Sequence, residues 1–437
     1  MRSTSTALLT DRYELTMVEG ALRSGAADRR CVFEVFARRL PDGRRYGVVG
    51  GTGRLLEAIE AFRFTDAELA ALERDQVVDP PTLRWLADYR FTGDVWGYGE
   101  GETFFPGSPL LVVDATFAEG VVLETLALSI LNHDSAIAAA ASRMTVAAHG
   151  RPCLEMGSRR THETAAVAAA RAAFIGGFAG TSNLEAGRRY GIHTIGTAAH
   201  AFTLVHDDER SAFAAQVAGL GPGTTLLVDT YDVERGVRTA VEVAGPALGA
   251  VRLDSGDLLE QAYAVRAQLD ALGARNTHIV VTSDLDEYAI AALAAAPVDS
   301  YGVGTCLVTG SGAPTAGLVY KLVAREGPDG ALVAVAKKSL EKTSIGGRKW
   351  AVRRRSHGVA QTEVIGIGHT PVNAGDDRAL LVPLVARGET VGAEPLDAAR
   401  DRHAASLAEL PATARQLSRG EPVIPTVVER SASIQED

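Results

Sequence analysis

The sequence predicts an α/β protein whose central part folds as an irregular, barrel-like parallel sheet. Three observations predict it. Short β-rich runs alternate with alanine-rich helical stretches through the middle of the chain, the pattern of βαβ units. Each strand run ends in a polar or glycine-rich junction, and in parallel α/β folds the sites form at that end of the strands. The length, 437 residues, exceeds one ordinary domain, so flanking segments must build a second.

The strand-like runs are 153–156 (CLEM), 192–197 (IHTIGT), 224–230 (TTLLVDT), 249–254 (GAVRLD), 278–283 (HIVVTS) and 300–304 (SYGVG). Between them lie helix candidates at 163–176, 258–273 and 286–297, each ending at Gly or Pro as stop signals require. A closed barrel of this kind uses about eight strands, so counting alone leaves an open sheet in play. What favours a barrel mouth is the series of junctions: Gly157 to Arg160, Thr197 to His200, Asp229-Thr230, Asp254 to Asp257, Ser283-Asp284 and Gly304-Thr305. Residues 1 to about 115 mix helix and strand signals with many Gly and Arg. After Tyr320 come strands and turns, then an arginine-rich helical tail. One domain interrupted by the barrel fits these flanks, and so do two small domains.

Composition narrows the function. A formal charge of −10 and a pI near 5.6 argue against a general nucleic-acid or membrane-surface binder, while leaving room for a local basic pocket. No charge-free apolar run of membrane-spanning length is present, the first residues lack a signal-peptide core, and a cytoplasmic location is expected. Cys31, Cys153 and Cys306 are unclustered and odd in number, which fits neither a zinc motif nor a disulfide framework. The five lysines, 321, 337, 338, 342 and 349, fall in one short window of a chain that otherwise uses arginine. Either a site there wants a mobile point charge or the window is a solvated basic loop.

The residues able to carry chemistry sit at the junctions. In VRLDSGDL (251–258), strand alternation puts Arg252 and Asp254 on one face and Val251 and Leu253 on the other. Ser255 and Asp257 are explained as helix caps, but a charged pair inside an apolar strand needs a partner or a ligand. GSRRTH (157–162) offers Arg159 and Arg160, whose forks match carboxylates and phosphates. Asp229, Asp254 and Asp284 surround the same mouth and could complete a Mg²⁺ shell with substrate phosphate, although Asp284 reads as well as an N-cap. The loop after 304 can cradle a phosphate on backbone amides. His200, in GTAAHAF, has no charged neighbour in sequence. Together these groups describe a site for phosphorylated, anionic substrates; neither a dinucleotide-binding fingerprint nor a Walker A loop is found.

LLTDRYELTM, FEVFARRLP, MGSRRTHE, GGFAGTSNLEAG, GTAAHAF, VRLDSGDL and YGVGTCLVTG occur in that order between residue 8 and the glycine loop. By these motifs the chain resembles the nicotinate phosphoribosyltransferases. The resemblance implies an incomplete TIM-like α/β barrel joined to an α/β sandwich built from both terminal segments, with divisions expected near 1–125, 126–325 and 326–437. It implies transfer of phosphoribosyl from 5-phosphoribosyl 1-pyrophosphate to nicotinate, coupled to ATP hydrolysis and dependent on Mg²⁺. His200 is similar to the histidine that the family phosphorylates. Tyr13, Arg159, Thr197 and Arg252 resemble nicotinate contacts, and Asp229 and Asp254 resemble residues near Mg²⁺ and pyrophosphate. Ser283, Asp284, Gly304 and Thr305 match the phosphoribosyl pocket, although relatives carry Asn where this chain has Asp284. The lysines would reach ATP or pyrophosphate. Tyr13 lies far from the barrel in sequence, so a homodimer with Tyr13 acting across it is expected. Two other readings share the scaffold: a nicotinamide phosphoribosyltransferase, whose relatives carry an acid where this chain has Ser182, and a catalytically inactive nucleotide sensor, which would have lost His200, Arg252 or Asp254.

Overall fold

The structure is a computed structural model that describes residues 5–337 and 344–430. The chain divides into two compact units, Ile137–Pro314 and the combination of Met1–Ala136 with Thr315–Asp437. The expected divisions at 125/126 and 325/326 thus fall about ten residues from the observed ones on either side.

Ile137–Pro314 contains a six-stranded sheet in the order Gly180–Thr181, Cys153–Glu155, Ser300–Val303, His278–Val281, Ala250–Leu253, Thr225–Leu227. Every neighbouring pair is parallel. Among the described residues the two edge strands do not pair with each other, so the sheet is a curled half-barrel rather than a closed one. One expected strand is wrong. The stretch 192–197 contributes only an isolated bridge, Thr194 to Thr181, and the edge strand is Gly180–Thr181 instead. The β-rich composition of 192–195 serves a short hook: Thr181 N–H donates to the His193 carbonyl and Ile195 N–H to the Thr181 carbonyl, after which the chain leaves the sheet.

The helices behind this sheet start where aspartates can cap them. Asp208, Asp232, Asp257 and Asp286 each accept from amides of the first turn, the role an N-cap carboxylate fills best. Alanines 166, 168–170, 172 and 173 of the Glu163–Ile175 helix are buried, which accounts for the alanine enrichment: small side chains let a helix lie close to its neighbours. Val251, Leu253, Ile279, Val281, Tyr301 and Val303 fill one side of the strands and are fully buried.

The other unit joins both ends of the chain. Its seven-stranded antiparallel sheet runs Leu332–Ala334, Leu318–Glu326, Arg30–Ala37, Leu111–Thr116, Asp94–Tyr98, Leu381–Ala386, Glu389–Thr390. N-terminal strands form its centre and C-terminal strands both flanks, joined where Arg30–Ala37 pairs Leu318–Glu326 and Asp94–Tyr98 pairs Leu381–Ala386. A second sheet orders Arg378–Ala379, Lys349–Ser356, Val359–Ile367 and Thr426–Arg430. The C-terminal segment is therefore not simply a helical tail: after the helix Leu396–Ala408 it returns as a strand parallel to Val359–Ile367. Arg353 is wholly buried in this unit and donates to Glu102, Glu363 and Glu409. Burial pushes the Glu102 carboxyl up, but Arg353 and Arg378 outweigh it and hold it at about 2. The helical stretch Phe117–Ala147 is long and apolar enough to cross a membrane by length and composition; 67% of its most apolar window is buried inside the protein, as in a packed core helix.

Candidate active site

The C-terminal ends of the half-barrel strands carry the site. His200 is the first residue of a short helix, His200–Leu204, and its ring is held from two sides. Nδ1 lies 3.1 Å from the Thr230 hydroxyl. Nε2 lies 3.9 Å from Asp229 Oδ1 and 3.9 Å from Asp254 Oδ2. The histidine that has no charged neighbour in sequence therefore has two in space, while 41% of its side chain stays open to solvent.

The carboxylates are set by the strands that deliver them. Asp229 follows Thr225–Leu227 and its side chain is only 2% exposed. Its Oδ2 accepts from the Asp254 amide at 3.0 Å and the Ser255 hydroxyl at 2.7 Å, while its Oδ1 is buried without a hydrogen-bond partner among the described residues. Asp254 follows Ala250–Leu253 and its Oδ1 accepts from the Thr282 hydroxyl. Strand alternation is as the sequence predicts: Val251 and Leu253 are buried, Arg252 and Asp254 are not fully so.

Arg252 donates from Nη2 to the Ala198 carbonyl at 3.1 Å and so ties down the segment that presents Thr197 and His200. Its Nε is buried without a partner among the described residues. Burial lowers the guanidinium pKa, Asp254 and Asp229 work against that, and Arg159 adds to it, so the two arginines share one electrostatic neighbourhood. Arg159 itself is exposed, as is Thr197, whose hydroxyl reaches only the Ala198 carbonyl.

The remaining loops close the ring. A Cβ on Gly157 would stand 2.2 Å from Val308 Cγ1 and 3.1 Å from the Gly304 carbonyl, so the arginine loop and the Gly304-Thr305 loop touch through glycine. Ser283 holds φ at 132°, a conformation rare for a non-glycine residue and characteristic of functional junctions. Asp284, exposed beside it, is not the helix cap considered for it; Asp286 is, accepting from the Tyr288 and Ala289 amides. Asp257 likewise caps the helix Leu258–Ala271, which frees Ser255 for Asp229.

Tyr13 and the described lysines belong to the other unit. Tyr13, on the helix Arg12–Ser24, is exposed, and partial desolvation and the neighbouring charges of Glu124 and Glu14 raise its pKa. Within that same unit Lys349 is no mobile cation: it is buried, 2.5 Å from Glu34 and 2.8 Å from the Ile345 carbonyl. Lys321 donates to the Tyr320 carbonyl and lies 3.7 Å from Glu124. Lys337 is exposed, and Lys338 and Lys342 lie outside the described residues. Sequence reasoning missed the hydroxyls of Thr230, Ser255 and Thr282 as site residues, because nothing in their local pattern separates a carboxylate tie from a turn residue. It also missed Glu155, a buried acid whose pKa burial raises and which receives the Gly157 amide and the Thr181 hydroxyl.

The donor set can be tested against a hard divalent cation. Among the described residues no group of three or more His, Cys, Asp and Glu side chains forms a metal cage. Mg²⁺ ordinarily takes only one or two carboxylates and fills its shell with water and substrate phosphate. Asp229 and Asp254 fit that requirement, the first with a buried oxygen that lacks a hydrogen-bond partner among the described residues.

Known proteins resemble this chain along most of its length. Residues 8–132 match the model of the nicotinate phosphoribosyltransferase N-terminal domain. The chain is 59% identical to nicotinate phosphoribosyltransferase pncB1 of Mycobacterium tuberculosis over 429 residues, covering 96% of this chain and 94% of that one. It is 39% identical to the nicotinate phosphoribosyltransferase of Bacillus subtilis over 360 residues, covering 80% and 73% respectively. The crystal structure of human nicotinic acid phosphoribosyltransferase superposes with a TM-score of 0.83 at 27% identity, covering 98% of each chain. On this identity and coverage, and on a shared fold, the chain belongs to the nicotinate phosphoribosyltransferase family.

Proposed function

We propose that this protein transfers the phosphoribosyl group of 5-phosphoribosyl 1-pyrophosphate to nicotinate, releasing nicotinate mononucleotide and pyrophosphate, with ATP hydrolysis coupled through phosphorylation of His200. The observation that carries the reading is the placement of His200 Nε2 at 3.9 Å from each of two carboxylates, at the open end of a parallel sheet. A neutral imidazole is a competent nucleophile toward phosphorus, and phosphoryl transfer asks mainly for positioning and charge stabilisation. When ATP phosphorylates His200, the imidazole gains a phosphoryl group and positive character, and ADP leaves with the bridging oxygen. Asp229 and Asp254 offset the positive character of the ring.

In the transfer itself, Arg252 and Arg159 orient the nicotinate carboxylate, and the buried Nε of Arg252 supplies a donor without a partner among the described residues. Thr197 borders the same position. The Gly304-Thr305 and Ser283-Asp284 junctions receive the phosphoribosyl moiety through backbone amides and hydroxyls. Asp229 and Asp254 would hold Mg²⁺, which supplies charge neutralisation for the departing pyrophosphate. Tyr13 enters the proposal as the residue reaching nicotinate from a second copy in a homodimer.

The test is pyrophosphate release from phosphoribosyl pyrophosphate and Mg²⁺, with nicotinate or nicotinamide, with and without ATP. The reading expects release with nicotinate, stimulated by ATP, and loss of the stimulation in His200→Ala with a slow uncoupled reaction remaining. Release with nicotinamide alone would replace nicotinate as substrate, and no release in any mixture would return the inactive sensor.

A further inference from the structure

Asp229 and Asp254 share a design that the family assignment does not supply. Each has one oxygen tied by a neighbouring hydroxyl and the other turned toward His200. Ser255 Oγ donates to Asp229 Oδ2 at 2.7 Å, and the Asp254 amide adds a second bond to the same oxygen at 3.0 Å. Thr282 Oγ1 donates to Asp254 Oδ1. The two oxygens left over, Asp229 Oδ1 and Asp254 Oδ2, are those that stand 3.9 Å from His200 Nε2.

We propose that Ser255 and Thr282 are positioning residues that pre-set this pair of carboxylate oxygens around His200. The inference rests on the reading of His200 as the phosphorylated residue, and it names groups that touch neither substrate nor imidazole. Three features support it. Ser255 is spare for any other task, because Asp257 caps the helix Leu258–Ala271 without it. Thr282 is buried, and its methyl is held against Gly302, where a Cβ would stand 2.6 Å from Thr282 Cγ2, so its hydroxyl is kept beside Asp254 Oδ1, with the Leu253 carbonyl at 3.4 Å as its more distant acceptor. Asp229 Oδ1 is buried without a partner among the described residues, an arrangement that costs free energy unless the oxygen is held for an incoming group. A carboxylate free to rotate would turn that oxygen toward the nearest donor. Two bonds on Oδ2 prevent it, as outer partners fix the orientation of ligating groups elsewhere.

The experiment compares wild type, Ser255→Ala, Ser255→Thr, Asp229→Asn and the double variant Asp229→Asn with Ser255→Ala. The readouts are kcat for ATP-coupled pyrophosphate release, the nicotinate KM, and uptake of label from γ-labelled ATP in wild type and His200→Ala. Ser255 is exposed, so its alanine variant should fold as wild type. The proposal expects Ser255→Ala to lose about tenfold in kcat with the nicotinate KM within about twofold, the signature of an interaction that matters in the transition state alone. Ser255→Thr should restore most of the rate, and the double variant should be no slower than Asp229→Asn, because Ser255 acts only through that carboxylate. A wild-type kcat in Ser255→Ala, or full additivity in the double variant, overturns the proposal. Absence of label in the wild type overturns the phosphohistidine reading instead, and the kcat comparison still decides whether Ser255 sets Asp229.

Discussion

Gly302→Ala is the substitution that connects the packing of the half-barrel to its chemistry. Gly302 lies in the Ser300–Val303 strand, and an added Cβ would stand 2.6 Å from Thr282 Cγ2 and 2.8 Å from Met156 Sδ. Ordinary contact between carbons begins near about 3.5 Å, so Thr282 must retreat by about 1 Å while the thioether swings aside more easily. The Thr282 hydroxyl shares its Cβ with the displaced methyl, so the bond to Asp254 Oδ1 is lost or stretched as the side chain moves. Overpacking of this kind costs about 1–3 kcal/mol of stability, whereas misplacing a reacting group by 1 Å can cost about 100-fold in rate. The variant should therefore melt only a few degrees low yet lose one to two orders of magnitude in kcat. Steady-state pyrophosphate release and thermal melting on the same preparation separate the two effects. Adding Thr282→Ser removes the offending methyl and keeps the hydroxyl, so the double variant should recover most of the rate. If Gly302→Ala turns over within about twofold of wild type, or if Thr282→Ser fails to rescue it, the steric chain from Gly302 to Asp254 is refuted.

Arg252→Lys keeps the charge but loses the fork, and should raise the nicotinate KM about 10- to 100-fold, the worth of one hydrogen bond to a charged group; an unchanged KM in initial-rate assays would remove Arg252 from the carboxylate site. Arg353→Met leaves Glu363 without its buried ion-pair partner in the first and last segments' unit, while Glu102 and Glu409 keep Arg378, and should destabilise it by about 3–5 kcal/mol, seen as a fall in the urea midpoint. Acid should weaken that unit in two stages. Burial lowers the His403 imidazole from 6.5 to about 4, so the unfolded chain takes up its proton first and stability declines as pH falls from about 6.5 to about 4. Glu102 is held at about 2 against 4.5, so its contribution is complete above about 4.5 and is lost as pH falls toward 2. Urea melts across this range should show the upper stage disappear in His403→Gln; a pH-independent midpoint between 6.5 and 4 would contradict the buried neutral histidine.

What the sequence reveals about this protein follows from how local each signal is. Strand alternation in 251–254 is a property of four consecutive residues, and it places Arg252 and Asp254 on the open face as read. Helix starts are local too, yet Asp284 and Asp286 are equally good caps in sequence, and only the turn made by Ser283 at φ 132° decides between them. The strand error at 192–197 has the same origin: β-rich composition reports a preference for extension, not for pairing, and Thr194 alone finds a partner. The lysine window shows the limit most sharply. Sequence proximity groups Lys321 with Lys349, but Lys321 is the cross-strand partner of Glu34 while Lys349, on a strand of another sheet, meets the same Glu34 across more than three hundred residues, where a buried ion pair fixes it. The junction acids and arginines were legible because a parallel sheet brings all its strand ends to one edge, whatever the connections between them. The hydroxyls of Thr230, Ser255 and Thr282 were not, because their role is set by which neighbouring strand end faces them. Chemistry that topology alone assembles can thus be read one residue type at a time, whereas chemistry that depends on the pairing of particular side chains has to be seen in three dimensions. For this family member, the consequence is that the residues most worth substituting next are the small hydroxyl groups, which no motif marks.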